Sequence, residues 1–170
     1  MNWLLYILFN FILYSFLGWI IEEVYSYFIL GYFKKDGFLN VPLKPMYGIA
    51  MCALIYCNDR LNIHSISLPL LFLIVPTIIE YLTGYLLKKL FNKEYWNYCS
   101  FKYNFQGFIC LNFSLCWAIL TTIAVIFIQP IIKVSFIQAM YLLGLISAIA
   151  FLIMAIDSII SIIEGISSKE

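Results

Sequence analysis

Two long apolar runs, residues 66–87 and 134–166, each enclose an acid, Glu80 in the first and Asp157 in the second. Residues 3–25, 43–57 and 108–128 form three more runs of the same kind. About 20 helical residues cross the hydrocarbon core of a bilayer. In lipid the backbone must pair its own N–H and C=O groups, so each run is predicted to be a helix. With 64% of residues hydrophobic and 11% charged, the composition excludes an ordinary soluble domain. The expected architecture is therefore all-α: one integral membrane domain over residues 1–170, a bundle of five transmembrane helices with structured cytoplasmic loops. A charged acid at the centre of a spanning helix costs about 2.5–3.5 kcal/mol on insertion. Such acids are expected to face protein or water, and to mark function.

Charge distribution orients the chain. With five spans, Lys34, Lys35, Lys44, Lys88, Lys89, Lys93, Lys102 and Lys169 fall on one face, and Arg60 and Lys133 on the other. The positive-inside rule then places the N-terminus outside and the C-terminus in the cytoplasm, as expected in a bacterial cytoplasmic membrane. Residues 43–57 are short for a span. If they do not cross, the basic residues divide five to five and the bias disappears, so five spans are preferred, the second tolerated by local thinning of the bilayer.

Other classes are disfavoured. A net charge of +1 gives no electrostatic support for nucleic-acid binding. Cys52, Cys57, Cys99, Cys110 and Cys116 form no CxxC, and His64 stands alone, so no metal site is expected. No phosphate-binding loop, GxSxG, HExxH or dinucleotide fingerprint is present. The chain is expected to be no enzyme and to use no cofactor.

The two lysine-rich connections look built rather than slack. The first holds Gly37, Pro42, Pro45 and Gly48; the second holds Trp96, Asn97, Tyr98, Asn104 and Gly107 among further aromatics. Gly, Pro and Asn in this density specify turns. The two segments are predicted to pack on each other as a cap. Ile20-Ile21-Glu22 and Ile78-Ile79-Glu80 precede them alike, the pattern of a parallel repeat.

Helical spacing puts Ser15, Gly18 and Glu22 on one face, Thr77, Glu80 and Gly84 on another, and Asp157, Ser158, Ser161 and Gly165 on a third. Small and hydroxyl residues mark faces that meet other helices. The candidate polar site, in the cytoplasmic half, is Glu22, Glu80 and Asp157 with Tyr47 and Asn104. No intramembrane cation is available, so either loop lysines reach in or some acids stay protonated.

These residues resemble a known family. Gly18-Trp19 followed by Glu22, then Gly37-Phe38-Leu39, Pro42, Pro45, Tyr47 and Gly48, then Ile79-Glu80-Tyr81-Leu82-Thr83-Gly84, Trp96, Tyr98, Asn104, Gly107 and Ile109 follow in order the pattern of the ABC-transporter type IV, or CmpB-like, bacterial membrane proteins. The chain departs from that pattern at Lys35-Asp36, Asn97 and Phe108, where Asn-Arg, Asp and Arg are expected. The resemblance implies a multi-pass permease-type subunit in the lipid bilayer. Such a subunit would work with a cytoplasmic ATPase or another membrane subunit, or as a homo-oligomer. The alternative is a membrane scaffold or assembly subunit without a substrate path.

Overall fold

The computed structural model describes residues 2–33, 37–61 and 67–167. Lys34, Lys35, Asp36, His64 and Lys169 lie outside them. The helices are α1 (Trp3–Leu30), α2 (Pro45–Asp59), α3 (Ser67–Phe91), α4 (Leu111–Ile123), α5 (Gln129–Gln138) and α6 (Met140–Ser167). A small hairpin precedes α4, with β1 (Asn104–Phe105) antiparallel to β2 (Ile109–Cys110).

Among the described residues, four helical stretches are long and apolar enough to cross a membrane: Trp3–Leu30, Pro69–Phe91, Leu111–Gln138 and Met140–Ser167. At 15 residues, α2 is too short to do so alone. The expected gap near Pro130 is not a loop. Proline lacks an N–H and clashes with the carbonyl four residues back, here Ile126. The chain absorbs this in a π turn, Ala124–Ile128, so α4 and α5 form one continuous rod. The reversal comes instead at Ala139, where helical backbone geometry lapses.

Contacts at the two ends give the directions. At one end the Arg60 guanidinium lies 4.4 Å from the Trp3 ring, Lys133 pairs with Asp59 at 2.7 Å, and the Asn2 N–H points to Met140 Sδ at 3.5 Å. At the opposite end, called here the hairpin end, Phe38 packs on Phe91 with 4.9 Å between centroids, and Gly165 lies against the same Phe91 ring. Hence α1, α3 and α6 run one way and α2 and α4–α5 the other. Phe38 starts at the hairpin end, whereas the Lys44 N–H reaches Ser15 O, midway along α1, at 3.0 Å. The irregular segment Gly37–Lys44 thus covers the depth that α2 lacks.

Side chains of α1, α2, α3 and the α4–α5 rod fill the core: Tyr6, Met51, Leu54, Ile55, Phe72, Val125 and Phe136 are buried together. Helix α2 lies closest to α1. A Cβ on Gly48 would meet Phe11 O at 2.5 Å and the Ser15 hydroxyl, so only glycine lets these backbones approach. Gln129, 2% exposed, ties the rod to α1. Its amide donates to Tyr6 Oη at 2.8 Å and Asn10 Oδ1 at 2.6 Å, and its oxygen accepts from the Tyr14 hydroxyl at 2.6 Å. Asn10 in turn donates to Tyr6 O at 2.7 Å. Helix α6 packs chiefly on α1 and leaves Tyr141, Leu145, Ile149, Leu152 and Ile156 exposed. An apolar surface this extensive is lipid-facing rather than water-facing.

Candidate functional site

Pro76 creates the conditions for the site. It leaves Phe72 O without its helical donor, and the Thr121 hydroxyl of α4 supplies one at 3.3 Å while also bonding Trp117 O at 2.8 Å. Hydroxyls commonly repair such breaks in membrane helices. The repair pins α3 to α4 about two turns before Glu80.

Glu80 is 3% exposed. Its Oε1 accepts from the Tyr98 hydroxyl at 2.9 Å, and its Oε2 is buried without a hydrogen-bond partner. The Trp117 indole N–H lies beside the same carboxyl but short of hydrogen-bond geometry. Both face a cavity of about 30 Å³ between α2, α3 and α4, which Tyr47, Ala50, Met51 and Ile79 help to line. That is room for water, whose centre needs ~10–15 Å³.

Glu22 lies on the other side of Tyr47. The Tyr47 hydroxyl donates to Glu22 Oε1, and the Lys44 ammonium pairs with Glu22 Oε2. The Tyr47 ring fills the space against Gly18 and sits 5.0 Å from Trp117. Its hydroxyl is within electrostatic reach of Glu80 and Tyr98. Each acid therefore accepts from a tyrosine of the segment that follows its helix, and Tyr47 joins the two.

The hairpin holds Tyr98 in place. The Tyr98 N–H donates to Gly107 O at 2.9 Å, the Trp96 indole to Phe108 O at 2.9 Å, and the Tyr98 ring stacks on Phe113 at 4.8 Å. Gly107 has φ +73, and a Cβ there would strike Cys99 Sγ. Burial and the Glu80 carboxyl push the Tyr98 hydroxyl well above the ordinary phenol range, so it remains a donor. Asn97 caps the turn, accepting from the Cys99 N–H at 2.8 Å and donating to Glu94 Oε2 at 3.0 Å. Hydrogen bonding from Lys88, and then from Asn97, holds the Glu94 carboxyl below its usual range.

Two of the candidate site residues lie elsewhere. Asn104 closes its own turn, donating to Phe101 O at 2.7 Å and accepting from the Gly107 N–H at 3.1 Å, which leaves it nothing to offer Glu80. Asp157 accepts the Asn40 and Val41 N–H groups at 2.8 and 3.1 Å and the Asn40 amide at 3.2 Å. It holds the irregular segment carrying Gly37 and Pro42 against α6. Among the described residues, Tyr47 of the first lysine-rich segment and Tyr98 of the second both approach Glu80. Pro45 opens α2 at its first position.

Sequence reasoning missed Trp117, Thr121 and the Gln129 cluster. Trp117 and Thr121 are four apart, and Tyr6, Asn10 and Tyr14 recur at the same spacing, one face of a helix each. That spacing was the available signal. Lys44 is the loop lysine that reaches in.

The arrangement offers a carboxyl, a phenol and an indole around a water-sized space, with a second phenol, Tyr98, bonded to the carboxyl. Among the described residues no three His, Cys, Asp or Glu side chains converge. The set suits a proton or a small hydrogen-bonding species. The profile of the family described as Putative ABC-transporter type IV matches residues 9–162. The chain belongs to that family. No curated protein and no solved structure matches it. As a member of the type IV family with four helices, among the described residues, long and apolar enough to cross a membrane, it is a transporter-related, multi-pass membrane protein.

Proposed function

We propose that the chain is a permease-type subunit of a membrane transporter, non-enzymatic and without a cofactor. It crosses the bacterial cytoplasmic membrane five times, N-terminus outside and C-terminus inside. The observation that carries this reading is the half-paired Glu80 carboxyl on a cavity beside an interrupted crossing, Gly37–Lys44 followed by the short α2. Transporter sites commonly sit where helices are broken, and an acid kept within the bilayer without a paired cation is expensive to retain for packing alone. The five-crossing reading draws support from the segment that lengthens α2, and from Lys88, Lys89, Lys93 and Lys102 lying toward the hairpin end. Energy would come from a cytoplasmic ATPase docked on that end.

The cavity size favours a second reading, a membrane scaffold or assembly subunit. About 30 Å³ admits water and no organic solute.

One preparation separates the two. Tagged protein purified in mild detergent should bring down an ATPase, and less of it when Trp96 is replaced by Ala. Recovery with membrane subunits alone, unchanged by Trp96→Ala, favours the scaffold. Single cysteines at Leu61 and Lys93, with the native cysteines removed, should label from opposite sides of intact cells. Labelling of both from outside refutes five crossings.

A further inference from the structure

We propose that the cavity between α2, α3 and α4 binds a water molecule that makes Glu80 an internal proton-exchange site, connected to the hairpin end through Tyr47 and Glu22. The inference deepens the permease reading of the same site by naming its ligand.

Two buried polar atoms on this cavity lack partners, and they are complementary. Trp117 Nε1 can only donate. Glu80 Oε2 accepts when ionised and can donate when protonated. Of the other polar groups on the wall, the Thr121 hydroxyl is committed to the Phe72, Trp117 and Ala118 carbonyls, and the Tyr47 hydroxyl donates to Glu22 while its lone pairs stay open to the water. A species that satisfies both orphans must accept from an indole N–H and exchange a hydrogen bond with a carboxyl. It must also fit about 30 Å³. Water does all three. A metal or ammonium cation would meet the Trp117 N–H with the wrong sign.

The surrounding charges point the same way. From α2, Glu80 faces Tyr47; from the hairpin, Tyr98, with Cys110 beyond it; from α4, the uncharged Trp117 and Thr121. The nearby ammonium of Lys44 is committed to Glu22. Among the described residues the ion pairs are Lys44–Glu22, Lys88–Glu94 and Lys133–Asp59, and none includes Glu80. Without a cation, a carboxyl buried this deeply keeps its proton until a relay removes it.

The relay is a balanced chain. Glu80 Oε2 gives its proton to the water. The water passes one of its own protons to Tyr47 Oη, and Tyr47 passes its hydroxyl proton to the Glu22 carboxylate. Glu22, one-third exposed at its side chain, exchanges with solvent. Throughout, Tyr98 donates to Oε1 and the Trp117 N–H to the water.

The test is infrared difference spectroscopy of the purified protein, acid minus alkaline. A protonated-carboxyl band is expected in the wild type and in Glu22→Gln, absent in Glu80→Gln, and shifted in Trp117→Phe. Tyr47→Phe should retain the band but slow its exchange in D2O severalfold. If Glu80→Gln does not fold, the wild type still decides: a buried-water O–H band that moves in H2(18)O and changes with pH is required. Absence of that water band, as a direct Trp117–Glu80 bond would give, overturns the proposal. So does a carboxyl band that Glu80→Gln leaves intact. The spectra need neither substrate nor ATPase, so failure of the transport reading and failure of the proton site are told apart.

Discussion

The interior holds two polar clusters at different depths, and they are finished differently. Around Gln129, every side-chain N and O of Tyr6, Asn10 and Tyr14 has a hydrogen-bond partner. Around Glu80, one carboxyl oxygen and one indole N–H are left over, and both residues line a cavity. Burying a polar group without a partner costs about 1–3 kcal/mol. A cluster that closes on itself avoids that cost and fixes how helices pack. A cluster that leaves it outstanding is stable only with something small in the gap. The first therefore behaves as a fastening between α1 and the α4–α5 rod, the second as a site.

The largest test of this contrast is Gln129→Leu. It strips partners from Tyr6, Asn10 and Tyr14 at once, and should cost about 2–3 kcal/mol, within what orphaned buried groups cost and above the modest values usual for single membrane hydrogen bonds. Unfolding of the detergent-solubilised protein measures it. A loss well under 1 kcal/mol would show that the cluster fastens nothing. Next comes Asp157→Leu, which orphans the Asn40 and Val41 N–H groups. About 1–2 kcal/mol should be lost. Faster proteolysis between Gly37 and Lys44 should accompany it, with the Glu80 infrared band unmoved. A moved band would mean that the Asp157 contact and the site are one unit after all. Smallest is Glu80→Gln. The amide oxygen still accepts from Tyr98 and its NH2 can donate to the water, so stability should change by less than about 1 kcal/mol. If this variant proves less stable than Gln129→Leu, the roles of the clusters are reversed.

Much of the helical framework was legible because lipid leaves a backbone no other choice. The α1 start and the extent of α3 lie within a few residues of their sequence-based positions, whereas the last helix begins at Met140 rather than at residue 134, because residues 134–138 belong to α5. The gap expected between residues 128 and 134 is instead helix, because Pro130 is accommodated by a π turn within a continuous rod. Glu80 could be singled out from its isolation in an apolar run. Of its companions, Tyr47 and Tyr98 could be named from their segments, and Trp117 and Thr121 could not. Asn104 and Asp157 have the right residue types in the right half of the bundle, yet each satisfies a turn or a loop of its own.

Sequence alone thus determined that this chain is a bundle of apolar helices with acids in its interior, because desolvation acts on each residue whatever its neighbours. Which acids meet was decided by tertiary structure. In these helices lipid-facing and core-facing positions are both apolar, so periodicity does not mark the buried face. The approach of Gly48 to α1, the Thr121 repair opposite Pro76 and the hold of Asp157 on Asn40 and Val41 are long-range contacts. Those contacts set Glu80, Tyr47 and Trp117 around one cavity, bonded Tyr98 to Glu80, and sent Asp157 elsewhere.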